Sequence, residues 1–136
     1  MENKIFIDAS AYLSILIETD TNHKKALTIL NRLQAEPHLY ITSYAVLGEV
    51  LTVASQRFNK SAAVDFVENI RDNGTMIITE TVSTMKKSFE KFANITDKNI
   101  SWVDCYSFVL IEECDVDSVF TFDRDFTRYS KLVIGS

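Results

Sequence analysis

The sequence predicts one α/β domain over residues 1–136, with a mostly parallel central sheet of about five short strands flanked by helices. Two observations carry that prediction. The candidate strands at 4–7, 38–42, 75–79, 118–122 and 131–134 are continuous runs of Ile, Val, Phe, Tyr and Thr, not alternating ones. Such runs suit strands covered on both faces, as in a parallel sheet. Between them lie helical stretches at about 10–18, 22–35, 43–57, 60–72, 81–94 and 101–114. Strands separated by helices build parallel crossovers.

Taken in order, the first strand runs into a carboxylate in KIFIDAS, with Asp8 followed two positions later by Ser10. Thr21 or Asn22 can cap the second helix, Ser43 the third and Ser101 the last. Gly74, just past the helix ending near Asp72, is a C-terminal stop signal. Three glycines and one proline leave little chain for long loops, and neither an internal repeat nor a domain boundary is visible.

Composition narrows the function classes. The chain is 46% hydrophobic and 24% charged, as expected of a soluble globular protein. No apolar run reaches the roughly 20 residues that span a membrane, and the first residues lack signal-peptide features. The expectation is a cytoplasmic protein. Cys105 and Cys114, nine apart on one helix, point to opposite faces and read as core hydrophobes without zinc-site spacing. His23 and His38 read as surface residues outside any site. A net charge of −5 argues mildly against nucleic-acid binding. Metal ions in an acidic pocket would offset it, leaving basic patches to meet phosphate. Lys86, Lys87 and Lys91 form one such group and Arg124, Arg128 and Lys131 another, although each also reads as a solvated helix face.

Four carboxylates stand in apolar surroundings, each with two readings. Asp8 follows a strand and either caps the next helix or sits at the mouth of a site. Glu49 is the only charged residue in SYAVLGEVLTVA, where a carboxylate is costly unless it is paired, exposed on a stripe with Gln56, or bound to a cation. Asp104, in SWVDCYSFVLIEEC, has capping-box spacing from Ser101 and also opens a buried helix. Asp123 follows the fourth strand in SVFTFDRDFTRY, where a turn explains one acid but not its delivery to the same edge as Asp8. Two carboxylates about 5 Å apart repel by roughly 3 kcal/mol at an effective dielectric of about 20. A cluster therefore needs compensation, and oxygen ligands without Cys or His favour Mg²⁺ or Mn²⁺.

The succession FIDAS, SYAVLGEV, SWVDCYSF and FTFDRDF resembles a PIN domain, most closely the VapC-like toxins of bacterial toxin–antitoxin systems. The resemblance spans almost the whole chain. It implies a metal-dependent endoribonuclease that hydrolyses RNA phosphodiesters. Asp8, Glu49 and Asp104 would be principal ligands of Mg²⁺, with Mn²⁺ as the alternative. Asp123 would complete a second metal position or orient the attacking water, with Asp125 as an optional further ligand. Ser10, Ser101 and Thr121 would support these acids by hydrogen bonds. It further implies RNA as substrate, an antitoxin protein whose peptide crosses the crevice, and a homodimer. Helices 43–57 and 60–72 carry the apolar residues for such an interface, which core packing also explains. The chain departs from many such toxins in being less basic.

The alternatives are a PIN fold without catalysis or a receiver-like Mg²⁺-binding module, either acting through protein partners. A receiver would need its acceptor Asp after the third strand, where TMIIT runs into Glu80 instead. A haloacid-dehalogenase-type phosphatase would need a second Asp where Ser10 stands.

Overall fold

The computed structural model describes residues 3–129 and 132–135. The element order is β1 (Asn3–Ile7), α1 (Ala9–Leu16), α2 (His23–Gln34), β2 (His38–Ser43), α3 (Tyr44–Arg57) and α4 (Lys60–Asp72). It continues with β3 (Met76–Ile78), α5 (Val82–Asn94), α6 (Trp102–Glu113), β4 (Ser118–Thr121), α7 (Phe126–Tyr129) and β5 (Leu132–Gly135). Every predicted strand and helix is present, with ends displaced by at most two residues. The short helix α7 is an addition: four residues carry too little periodicity to be read from sequence. The fifth predicted strand began at Lys131, which lies outside the described residues, as does that residue's place in the second basic group.

One five-stranded sheet forms in the order β3-β2-β1-β4-β5, and each pairing is parallel. Strand β1 is central, with Phe6 opposite Ile41 on one side and Val119 on the other. Phe6, Ile41, Val119 and Phe120 are almost wholly buried, which accounts for the continuous apolar runs. The receiver-like alternative is overturned by this order, since receivers follow 2-1-3-4-5.

The chain steps from β1 outward to β3, then returns to the far side of β1 to form β4. Right-handed crossovers then place α1–α4 on one face and α5–α6 on the other. The direction of winding reverses between β1 and β4, and the crevice of such a sheet opens there, beyond the carboxyl ends of the strands. Asp8 follows β1 at this point, and its N–H extends the ladder to the Phe120 carbonyl at 3.1 Å.

The helices form where caps and burial coincide. Ser43 accepts from the Val46 N–H at 3.1 Å to start α3, whose Val46, Leu47, Val50 and Ala54 pack inward. In α6, residues 105–111 are buried without a break, so this helix is enclosed on all sides. By contrast α3 is only half enclosed, with Tyr44, Gly48, Thr52 and Gln56 exposed, so Glu49 is half-buried at the edge of an exposed stripe that includes Gln56. The chain turns after α4 at Gly74, where φ is +90°. The two histidines are half-buried, not surface residues: His23 Nδ1 bonds the Ser14 carbonyl at 2.8 Å, and His38 Nδ1 is buried. Among the described residues no helix is long and apolar enough to cross a membrane.

Candidate active site

At the switch point, Asp8, Glu49, Asp104 and Asp123 line a single cavity of about 230 Å³, together with Ser10, Ser101 and the apolar Leu13 and Val53. Each acid comes from a different part of the fold. Asp8 closes β1, Glu49 stands in the second turn of α3, Asp104 in the first turn of α6, and Asp123 follows β4. No histidine or cysteine lines the cavity.

Asp8 is the most rigidly held. It is 3% exposed. Its Oδ2 accepts from the Thr121 hydroxyl at 2.9 Å, the Ser10 hydroxyl at 3.0 Å and the Ser10 N–H at 3.5 Å. The two hydroxyls are oriented by what they accept. Phe122 N–H donates to Ser10 Oγ at 2.9 Å, and Asp123 N–H donates to Thr121 Oγ1 at 3.0 Å. Both hydroxyls lie within donating reach of the carboxylate, and their oxygens sit 3.0 Å from each other, so the three groups form one hydrogen-bonded network. Capping and site-building thus coincide at Asp8, which is also the N-cap of α1.

The same holds at Asp104. Ser101 Oγ accepts from the Asp104 N–H at 3.0 Å and Asp104 Oδ2 accepts from the Ser101 N–H at 3.3 Å, completing a capping box. Burial, then the Asp8 charge, pushes the Asp104 carboxyl up to about 7. Glu49 is raised by burial and by the charges of Asp8 and Asp123. Asp8 itself is raised by burial, against the opposing pull of Thr121, Ala9 and Ser10.

Among the described residues no Lys or Arg pairs with any of the four. Four basic side chains form ion pairs elsewhere, in Arg57–Asp20, Lys87–Glu113, Lys91–Glu112 and Arg128–Asp97. Nor do three acids close on one point as a finished metal cage. They line the cavity from different sides instead. Asp125 does not line the cavity: its N–H donates to Asp123 Oδ1 at 2.9 Å and its carboxylate lies 3.9 Å from Arg128. Sequence reading missed the backbone N–H groups of Phe122 and Asp123 and the apolar walls Leu13 and Val53. The Thr-x-Asp pattern signalled the N–H of Asp123, whereas the Phe122 contact to Ser10 spans 112 positions and leaves no local trace.

A family model described as PIN domain matches residues 5–132. A curated relative, the 23S rRNA-specific endonuclease VapC20 of Mycobacterium tuberculosis, is 27% identical over 124 residues, which is 90% of this chain and 92% of the relative. The crystal structure of Mycobacterium tuberculosis VapC20, titled a sarcin-ricin loop cleaving toxin, superposes with a TM-score of 0.85 at 23% identity, covering 97% of this chain and 98% of that one. VapBC2 from Rickettsia felis, bound to a DNA fragment from its promoter, gives a TM-score of 0.66 at 13% identity, covering 96% and 97%.

Proposed function

The chain belongs to the PIN-domain family, and from that premise we propose that it is a divalent-metal-dependent endoribonuclease, the toxin of a toxin–antitoxin pair. The observation that carries the reading is the convergence of Asp8, Glu49, Asp104 and Asp123 on one cavity with no cationic side chain lining it among the described residues. An all-oxygen donor set of this charge fits Mg²⁺ or Mn²⁺ and does not fit a metal that prefers sulfur or imidazole. RNA as the substrate class is supported by the 23S rRNA-specific relative.

Asp8, Glu49 and Asp104 would hold the ion, directly or through water, with Asp123 completing a second position or orienting the attacking water. A bound divalent ion supplies hydroxide near neutral pH and stabilises charge on the attacked phosphate and the leaving oxygen. The remaining work falls to the chain. Ser10 and Thr121 fix Asp8 so that its carboxylate does not rotate as substrate enters. Ser101 fixes the backbone from which Asp104 projects. Leu13 and Val53 limit water on one side of the cavity. Asp125, held outside the cavity, would act on the site only through Asp123.

An antitoxin peptide carrying a basic side chain suits four unpaired acids, and the solved toxin–antitoxin complex from Klebsiella pneumoniae, with a TM-score of 0.61, supports such a partner. A homodimer would use apolar surface such as Tyr44 and Phe58 on and beside α3; a monomer by light scattering at micromolar concentration would remove that element. The cytoplasm, with its RNA and free Mg²⁺, is the compartment this activity requires.

The test is cleavage of a mixed RNA pool with Mg²⁺ or Mn²⁺ by the wild type, Asp8→Asn and Asp104→Asn. The expected outcome is cleavage by the wild type alone, abolished by chelator. Metal-dependent cleavage that survives in both folded variants would overturn the assignment. Mn²⁺ binding without cleavage of any RNA would favour the silent PIN fold.

A further inference from the structure

Beside the acidic cavity lies a cation that no acid neutralises. Phe122 directly precedes Asp123, and its N–H donates to Ser10 Oγ at 2.9 Å. Ser10 and Asp123 both line the acidic cavity, so the Phe122 backbone is tied to its wall. The half-buried ring of Phe122 packs edge-on against Phe120 at 5.8 Å. From the first turn of α2, the exposed Lys25 lays its ammonium over that ring, 5.9 Å from the centroid. Among the described residues Lys25 forms no ion pair, although the chain carries 19 Asp and Glu against 14 Lys and Arg. Stability alone does not explain this placement. A cation on an exposed aromatic face contributes about 0.5–1 kcal/mol, and confining a lysine side chain costs entropy of similar size. What the ring achieves is separation of charge. It seats the ammonium near the four acids while leaving them free for metal ions.

We propose that Lys25, seated on Phe122, binds a backbone phosphate of the RNA strand flanking the one attacked at the acidic cavity. The inference rests on the nuclease reading and makes Lys25 a substrate-binding residue, outside the reacting atoms. A strand whose scissile phosphate meets metal ions at the acids carries further phosphates to either side. A compact ammonium on a flexible stem meets one of these as a point charge, fixing register without reading sequence. Proteins that hold single strands combine cations with aromatic side chains in this way. The regular spacing of phosphates lets one strand reach the cavity and Lys25 together, which favours a nucleic acid over an acidic peptide.

The experiment measures, by fluorescence anisotropy, binding of a labelled single-stranded RNA of mixed sequence to the full chain in chelator, where the strand stays intact, from about 20 to 200 mM salt. Lys25→Gln should weaken binding about fivefold and lower the slope of log K against log salt by about 0.7, the share of one phosphate contact on a single strand. Lys25→Arg should restore the slope, and Lys24→Gln, which removes the neighbouring charge, should leave it unchanged. With Mn²⁺, Lys25→Gln should raise KM about fivefold at unchanged kcat. The proposal is overturned if the wild type binds no RNA at about 20 mM salt, if Lys25→Gln keeps the wild-type affinity and slope, or if Lys24→Gln lowers the slope equally. Competition by polyglutamate as strong as that of unlabelled RNA would also overturn it, in favour of an acidic peptide. Loss of RNA affinity in Lys25→Gln, with no cleavage by the wild type in Mn²⁺, would remove the nuclease reading and uphold the phosphate contact.

Discussion

Replacing Asp104 by Asn separates a carboxylate kept for capping from one kept for chemistry. If Asp104 served only the helix start, its loss would cost stability, since removing a capping side chain costs typically ~1 kcal/mol. The geometry argues the reverse. Its cap bond to the Ser101 N–H is long, at 3.3 Å, and the Asn carbonyl oxygen can still accept it. What Asn removes is a half-buried charge facing Asp8 and Asp123. Raising a carboxyl from 3.8 to about 7 corresponds to about 4 kcal/mol against the ionised folded state. Partial exposure screens this, and about 1–2 kcal/mol is the realistic share. At about 2.1 cal/mol/K of unfolding entropy per residue, the 136-residue chain should gain about 4–7 °C in Tm.

The sign depends on pH. A carboxyl whose folded pKa lies above its unfolded value imposes nothing below the unfolded value, and its full penalty above the folded one. The advantage of Asp104→Asn should therefore be near zero at about pH 4, grow between about pH 4 and 7, and level off above. Scanning calorimetry in chelator at about pH 3.5 and about pH 8, on either side of this window, reads it directly. Excess Mn²⁺ should invert the order, because the wild type gains binding energy that the variant forgoes. A variant less stable than wild type at high pH without metal would refute the reasoning and restore the cap as the whole role of Asp104.

Four further outcomes are expected. Divalent ion at about 100 times its Kd should stabilise the wild type by about 2.7 kcal/mol, and this gain should vanish in Asp8→Asn by thermal shift. Thr121→Val takes a donor from Asp8 and an acceptor from the Asp123 N–H; metal-dependent cleavage should fall at least about tenfold, with about 1–3 kcal/mol lost in urea unfolding. Gly135→Ala would put a Cβ 2.7 Å from the Thr121 carbonyl oxygen at a φ of +112°. Tm should fall by about 4–10 °C, and cleavage should fall with it because β4 carries Thr121. Ser43→Ala removes the α3 cap and should cost about 1 kcal/mol while leaving cleavage per folded molecule unchanged, a contrast that isolates stability from chemistry.

Most of the architecture was legible because the strands are buried on both faces and the helices carry their own caps. Ile5–Ile7 and Ser118–Phe120 announce strands by composition, and Ser43, Ser101 and Asp104 announce helix starts by spacing. The strand order was not legible, since nothing in β3 or β4 says on which side of β1 it will pair. Among site residues, Asp8 and Asp123 could be placed at one sheet edge from sequence because each directly follows a strand. Glu49 was singled out by its apolar neighbours, although α3 is amphipathic in the fold and its exposed side includes Tyr44 and Gly48, residues that look apolar on paper. The histidines misled in the opposite sense, because polar neighbours in sequence conceal the fold that half-buries them.

Capping accounts for Asp8 and for Asp104 taken one at a time, and a turn accounts for Asp123. It cannot account for their juxtaposition. A cap needs only an oxygen acceptor at a helix start, and Ser43, Asn59 and Thr81 supply one at α3, α4 and α5 without charge. The cap of α1 is a charged residue, Asp8, and the capping box of α6 is closed by Asp104 where that of α5 uses Thr84; both acids face the same cavity, and a third in mid-helix, Glu49, faces them from α3. Among the described residues no basic side chain relieves the three, although several are set into ion pairs elsewhere. A protein optimised for stability alone would exchange these acids for neutral caps. On the proposed reading, retained charge with no counter-ion among the described residues is the local cost of a site whose counter-ion arrives from solution, and Asp8 ends its strand at the floor of that site.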